Sequence, residues 1–136
     1  MPIELNLRKQ KWLLLVIYRP PDQNLAYFSE FLSGLLDFYS VNYENFVIMG
    51  DFNSECYSTE ISDLVSFHEM NSLITGPTCF KSAAGRCIDL ILTNKRKSFQ
   101  KSSSFETGIS DYHHMIFTVL KTTHSNVPIP FLQIFL

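Results

Sequence analysis

The stretch Lys11-Trp-Leu-Leu-Leu-Val-Ile-Tyr18, followed at once by Arg19-Pro-Pro-Asp22, decides the fold. An uninterrupted apolar run that stops at prolines is typical of a strand buried on both faces. Directly after it, apolar residues recur every three or four positions from residue 24 to 39, with Asp22 or Asn24 available as the N-cap. This spacing predicts an amphipathic helix.

The same patterns predict the remaining elements of an α/β domain. Apolar runs predict strands at residues 12–18, 46–50, 88–93 and 114–120, with another around Thr78–Phe80, and helical spacing predicts a second helix at 60–71. The polar stretch from Asn94 to Lys101 is interpreted as a connection. Strands mixed with helices in this order predict a layered α/β fold.

Size and composition exclude several classes of protein. A chain of 136 residues with 46% hydrophobic and 18% charged residues is typical of one folded domain. Its apolar runs are far shorter than a membrane helix, and no signal-peptide pattern is present, so we expect an intracellular protein with no membrane partner. Three cysteines without a C-x-x-C pair predict neither disulfides nor zinc.

Charge and chain organisation give two further expectations. The net charge of −2 provides no global attraction to nucleic acid, so a polyanionic partner must be held locally. The group Lys95, Arg96, Lys97 and Lys101 is interpreted as a solvated loop, with contact to phosphates as the alternative. We expect residues 1–121 to form the domain and residues 122–136 to be a loosely held tail.

Asp89 is the sharpest departure from the apolar pattern. Its neighbours Ile88 and 90–92 describe a strand covered on both sides, where an unpaired carboxylate is costly. Asp89 therefore needs a partner. It is either a strand-edge aspartate bonded to backbone or an active-site carboxylate that holds a histidine or a metal ion, and the other polar clusters favour the second interpretation.

Gly50-Asp-Phe-Asn53 lies at the carboxyl end of a predicted strand, where α/β sheets place ligands. In extended backbone Asp51 and Asn53 project to one side and Phe52 to the other, so a carboxylate and an amide converge while the ring anchors the loop. These residue types also occur in plain turns, so the alternative remains open.

Ser110-Asp-Tyr-His-His114 gathers a hydroxyl, a carboxylate, a phenol and two imidazoles just before the last strand. Such a density of functional groups is typical of a site. Taken alone, however, His113 or His114 is more often a plain polar residue at a strand entry.

With these motifs the sequence resembles the endonuclease/exonuclease/phosphatase superfamily, in particular the apurinic-endonuclease-like nuclease domain of non-LTR retrotransposons. The motifs, in the family's order across residues 11–121, are Ile17-Tyr-Arg-Pro-Pro21, Ile48-Met-Gly-Asp-Phe-Asn53, Gly76-Pro-Thr78, Ile88-Asp-Leu-Ile-Leu-Thr-Asn94 and Gly108-Ile-Ser-Asp111. Five motifs in register are far more specific than one. The resemblance implies a layered α/β sandwich that is truncated at its N-terminus.

The resemblance also implies a chemistry and its partners. It implies an endonuclease in which a divalent cation, Mg²⁺ or Mn²⁺, assists attack of water on the phosphorus of DNA. Asp111 is implied as a metal-site acid, and Thr78 and Ser110 as contacts to the substrate backbone. In a full-length element a reverse transcriptase domain is expected, with a nuclear location if the protein is functional.

Four residues acquire catalytic roles from the resemblance. Asp51 is implied to orient or deprotonate the attacking water, with Asn53 beside it near the phosphate. Tyr18 is implied to contact the scissile phosphate or its leaving group. Asp89 is implied to orient the catalytic histidine. Together with Asp111, these groups should converge at one end of the sheet.

Two departures from the family predict that activity is lost or weak. No residue before Lys11 supplies the family's metal-ligating glutamate or its first asparagine, and Tyr112 stands where the family has a histidine. A phenol keeps its proton far above the pH at which an imidazole loses one. By strand alternation His113 faces the opposite side, whereas His114 returns to the correct face one step deeper.

Three hypotheses follow. The first is a metal-dependent endonuclease of retroelement origin with little or no turnover in this copy. The second is a non-catalytic remnant that at most binds metal or nucleic acid weakly. The third is a fragment that is unstable alone because apolar sheet surface is uncovered.

Overall fold

Two sheets and two α-helices make up the described part of the chain. The computed structural model describes residues 2–7 and 9–121. In chain order the elements are β1 (Pro2–Leu7), β2 (Gln10–Tyr18), α1 (Leu25–Ser40), β3 (Asn45–Asp51), α2 (Thr59–Phe67), β4 (Asn71–Ser72), β5 (Asp89–Thr93), a 3-10 helix (Arg96–Ser98), β6 (Phe99–Phe105) and β7 (Met115–Leu120). The predicted mixed α/β fold is confirmed, and the predicted tail at 122–136 lies outside the described residues.

The larger sheet has the strand order β1-β2-β3-β5-β4, and β6 pairs with β7 in a separate two-stranded sheet. Within the larger sheet, β2 and β3 are parallel, and the other neighbouring strands are antiparallel. A parallel pair needs a crossover connection, and α1 provides it. The carboxyl ends of β2 and β3 therefore meet the amino end of β5 at one edge of the sheet.

Helix α1 agrees closely with its predicted bounds. Asn24 is the N-cap: its side-chain oxygen accepts a hydrogen bond from the backbone N–H of Tyr27 at 3.0 Å. The helix buries Phe28, Leu32 and Leu36, which are the apolar positions at three-and-four spacing.

The core joins both helices and both sheets. Leu13, Ile48 and the segment 90–92 of the central strands are almost fully buried, and Ile116 of β7 joins the same cluster. Phe99 of β6 packs edge-on against Trp12 of β2, with 5.9 Å between ring centroids. The apolar runs of β2, β3 and β5 are therefore largely buried strands, as the sequence predicts, whereas β7 is mostly half-buried.

The second predicted helix is too long. Helix α2 ends at Phe67, and Glu69 adopts a left-handed φ of 51°. The N–H of Met70 then donates to the carbonyl of Val65 at 2.8 Å, a bond that closes the end of a helix. Residues Asn71–Ser72 form β4 instead, so the apolar spacing predicted the helix but not its end.

The interpretation of residues 94–101 as a connection is wrong from Phe99 onward. Strand β6 pairs with β7 along its length, with a register irregularity between Phe99 and Lys101. From Lys101 to Phe105 its side chains alternate between exposed and half-buried positions because successive residues of a strand point to opposite faces. The predicted strand at Thr78–Phe80 is reduced to isolated bridges of Cys79 with Arg86 and His113.

Candidate active site

Three side chains named from the sequence meet at one edge of the larger sheet. In the parallel pair, Tyr18 is the register partner of Asp51, and in the antiparallel pair Asp51 is the register partner of Asp89. Register partners lie side by side with their side chains on the same face. The two carboxylates are therefore cross-strand neighbours, and the exposed Tyr18 ring lies next to them.

Asp89 has a carboxylate that the surrounding protein does not satisfy. Its backbone N–H donates to Oγ1 of Thr78 at 3.1 Å, whereas its buried Oδ2 has no hydrogen-bond partner among the described residues. Burial raises the pKa of Asp89; the Thr78 hydroxyl lowers it, the Asp51 charge raises it and His113 lowers it. A backbone-bonded strand-edge aspartate does not explain this orphaned oxygen.

The raised pKa has a consequence for stability. Folding favours the protonated form of Asp89, so its contribution to stability is present below its ordinary pKa and is lost as the pH rises through the raised pKa. Above its raised pKa the ionised Asp89 therefore costs stability, as expected for a group kept for function rather than for folding.

Thr78 lies beneath this carboxylate and is fully buried. Its Oγ1 accepts hydrogen bonds from the backbone N–H groups of Ile88 at 3.2 Å and Asp89 at 3.1 Å. The hydroxyl thus fixes the start of β5. The structure gives Thr78 a positioning role, and its predicted contact with substrate backbone stays a prediction.

The loop after β3 holds Asp51 through a turn rather than through extended backbone. Asn53 has a φ of 46°, so the expectation of extended backbone is wrong at this residue. Its N–H donates to Oδ1 of Asp51 at 2.8 Å, and its Nδ2 donates to the carbonyl of Arg19 at 2.8 Å. Phe52 is fully buried against Phe28, which agrees with the predicted anchor.

Arg19 is the residue that sequence reasoning missed. Its side chain is buried, and its guanidinium donates to the carbonyls of Phe52 and Asn53, both at 2.6 Å, and to that of Gln23. It therefore ties the end of β2 to the loop that carries Asp51. The sequence did contain a signal for this role, because an arginine between a buried strand and two prolines needs buried hydrogen-bond acceptors.

The cluster before β7 is partly a turn. Ser110 accepts hydrogen bonds through Oγ from the N–H groups of Tyr112 at 3.3 Å and His113 at 3.1 Å. The ring of Tyr112 is about half exposed, and Asp111 is exposed. The hydroxyl of Ser110 is thus engaged in local turn geometry, and its predicted substrate contact stays a prediction.

The two histidines differ in their surroundings. His114 stacks on Phe80, with 4.4 Å between ring centroids. His113 lies 3.7 Å from Sγ of Cys79 through Nε2, and its positive form lowers the pKa of Asp89. His113 thus acts on the pKa of Asp89, and the catalytic roles of His113 and His114 both stay predictions.

The described residues offer an incomplete set of ligands for a divalent cation. Carboxylates are suitable ligands for Mg²⁺ or Mn²⁺, and the orphaned oxygen of Asp89 beside Asp51 is such a donor. However, residues 2–7 and 9–121 contain no group of three or more His, Cys, Asp or Glu side chains that could hold a metal ion. These residues alone do not fit a resident cation, and Asp111 as a ligand stays a prediction.

The family of the chain follows from its sequence. Residues 10–111 match the Endonuclease/Exonuclease/phosphatase family, which is well over half of the 136 residues. The chain belongs to this family. No curated protein sequence matches the chain significantly.

Solved structures share the fold at low identity. An endonuclease/exonuclease/phosphatase family protein from Leptotrichia buccalis matches with TM-score 0.66 and 18% identity, covering 89% of this chain and 53% of its own. The endonuclease domain of TRAS1, a telomere-specific non-LTR retrotransposon, matches with TM-score 0.71 and 14% identity, covering 88% and 60%. The human Nocturnin catalytic domain, with a bound sulfate anion, matches with TM-score 0.52 and 13% identity, covering 87% and 44%. The chain thus spans about half the length of these structures.

Neither described helix has the length and apolar character needed to cross a membrane.

Proposed function

We propose that the chain carries part of a phosphodiester-hydrolysing site, of the kind found in endonuclease domains of non-LTR retrotransposons, and that this copy has little turnover. The observation that carries the proposal is the Asp51–Asp89 cross-strand pair at one edge of the sheet, where one buried oxygen of Asp89 has no partner among residues 2–7 and 9–121. Membership of the family supports hydrolysis of a phosphate ester as the reaction class. DNA as the substrate rests on the motif resemblance and on the fold shared with TRAS1.

Each side chain at this edge has a role in that chemistry. Asp51, held by the N–H of Asn53, is placed to orient a water molecule or take its proton. The exposed Tyr18 hydroxyl can donate to a phosphate oxygen. His113 acts electrostatically on the buried carboxylate of Asp89, and an imidazole near the two carboxylates can donate a hydrogen bond to the reacting phosphate. In the family a divalent cation shares this task.

Two observations support low turnover. The described residues do not assemble a group of three metal ligands, and Tyr112 stands half exposed where the family has its histidine. The non-catalytic remnant is therefore the second candidate function. If the protein acts as an endonuclease, a reverse transcriptase partner and a nuclear location are the expected context.

Nicking of supercoiled plasmid in Mg²⁺ or Mn²⁺ tests the proposal. We expect the unmodified chain to remain at background, because loss of an electrostatic donor or a general acid typically lowers a rate by about 10² to 10⁴. The variant Tyr112→His should nick about 10²-fold faster than background, since it returns an imidazole. Adding Asp51→Asn to Tyr112→His should remove the gain.

Each other result has a definite meaning. Asp51-dependent nicking by the unmodified chain would show that this copy is active and contradict its low turnover. Background rates for every variant would favour the non-catalytic remnant. A gain in Tyr112→His that persists in the Asp51→Asn double variant would place the chemistry somewhere other than the Asp51–Asp89 edge.

A further inference from the structure

A group of exposed cations gathers at the sheet edge opposite to Asp51 and Asp89. We name this group the basic end; its members are Lys9, Lys11, Lys95, Arg96, Lys97, Lys101 and Lys121, and all seven are exposed. The amino ends of β2 and β3 and the carboxyl end of β5 define this edge, since Thr93 pairs with Val47.

Contacts between segments bring the basic end together. Oδ1 of Asn94 accepts a hydrogen bond from the N–H of Phe46 at 2.9 Å, which places the start of the 95–98 segment at the beginning of β3. The N–H of Lys121 donates to the carbonyl of Ser98 at 2.7 Å. Lys11 directly precedes Trp12, which contacts Phe99. The cations therefore come from distant parts of the sequence and share one surface.

The charge of this surface is not neutralised. Seven of the chain's 11 Lys and Arg residues lie here, although the whole chain has a net charge of −2. The ion pair found among residues 2–7 and 9–121 joins Arg86 to Glu55, and no member of the basic end forms one. Glu4, whose pKa is lowered by the Tyr43 hydroxyl and next by Lys11, and Glu44 are acidic residues beside it.

The two edges are too far apart to share one phosphate. The five residues of β5 separate Asp89 from the basic end, a span of roughly 13 Å at about 3.3 Å per residue. A duplex, however, carries about one charge every 1.7 Å along its axis. A row of flexible cations can therefore bind a duplex without a formed pocket. No large apolar side chain is exposed within the basic segments 9–11, 95–101 and 121, which argues against a lipid surface.

We propose that the basic end is a second nucleic-acid contact surface, which holds a phosphodiester backbone away from the Asp51–Asp89 edge. The contact is electrostatic and independent of sequence, because lysines that approach phosphates carry no base readout. For Lys95, Arg96, Lys97 and Lys101 the proposal favours contact with phosphates over a merely solvated loop. It does not depend on catalysis, so it holds equally for the hydrolase and for the non-catalytic remnant.

Fluorescence anisotropy with a labelled DNA duplex, and with an RNA duplex of the same sequence, tests the proposal. At about 50 mM salt, Lys95→Gln/Lys97→Gln should weaken binding on the order of 10-fold and reduce the slope of log K against log salt by up to about 1.8. The matched single variants are Lys97→Gln and Lys81→Gln, since each removes one exposed cation and Lys81 lies outside the basic end. Only Lys97→Gln should weaken binding.

A loss with DNA, with RNA or with both supports the surface and identifies which nucleic acid supplies the backbone. If Lys97→Gln and Lys81→Gln weakened binding equally, the loss of affinity would reflect only the net charge of the chain, and the proposal would be overturned. Absence of binding at low salt, or binding that the double variant leaves unchanged, would overturn it as well. Since no cleavage is measured, these results are separate from the plasmid assay.

Discussion

Gly50→Ala should leave the chain largely unfolded. Gly50 has a φ of 150°, and a Cβ atom built on it would lie 1.8 Å from the backbone carbonyl oxygen of Ile17 on the neighbouring parallel strand. Neither backbone can move away without breaking the β2–β3 ladder. We expect a loss of more than about 4 kcal/mol, which is comparable with the whole stability of many domains. Urea unfolding followed by circular dichroism measures it.

Gly34→Ala is the matched control. Gly34 lies inside α1 with nothing within 4 Å of an added Cβ, so alanine should stabilise the helix by roughly 0.5 to 1 kcal/mol. A Gly50→Ala protein with the unfolding midpoint of the unmodified chain would show that β2 and β3 are not paired in the register of the structure.

Arg19→Met should produce the second large effect. Methionine replaces the aliphatic part of the side chain but donates no hydrogen bond, so the carbonyls of Phe52, Asn53 and Gln23 lose a charged donor. Unsatisfied buried acceptors cost about 1 to 3 kcal/mol each, and partial access to water reduces the sum, so we expect about 3 kcal/mol. Amide hydrogen exchange should also quicken at Asn53, because the loop that carries Asp51 loses its tie to β2.

Arg86→Met separates this effect from the general loss of an arginine. Arg86 pairs with Glu55 at 2.5 Å, but both side chains are about half exposed, and such surface pairs contribute about 0 to 1 kcal/mol. If Arg19→Met and Arg86→Met lower the free energy of unfolding equally, then Arg19 does not anchor the loop and its hydrogen bonds do not stabilise the fold more than a surface ion pair does.

The elements that sequence predicts best are those with continuous apolar runs or clear helical spacing. β2, β3, β5 and α1 are of this kind, because burial on both faces or on one stripe leaves a strong periodic signal. β6 was missed because this strand is polar at its centre, with three serines and one lysine, and obtains its stability from pairing with β7. β1 was missed although Ile3 and Leu5 alternate with polar residues, since its strand character depends on pairing with β2.

Within the candidate site, sequence also reveals the residues with a local signal and misses the roles that depend on distant segments. Asp89 was found from sequence because a carboxylate inside an apolar run breaks a local rule, and such breaks concentrate at functional positions. The structural roles of Arg19 and Thr78 were missed because their partners are carbonyl and N–H groups on distant segments. The position of His113 likewise depends on the turn at Ser110, which strand alternation cannot describe.

The pairing of Asp51 with Asp89 is the feature on which the proposed function depends, and NMR titration of the Asp89 carboxyl carbon measures it directly. In the unmodified chain, burial first and the Asp51 charge in addition should raise the pKa of Asp89 above its ordinary value of 3.8. In Asp51→Asn the pKa of Asp89 should fall toward that value, whereas Asp63→Asn on the exposed face of α2 should leave it unchanged. An Asp89 that titrates at its ordinary pKa, or that does not respond to Asp51→Asn, would contradict the site.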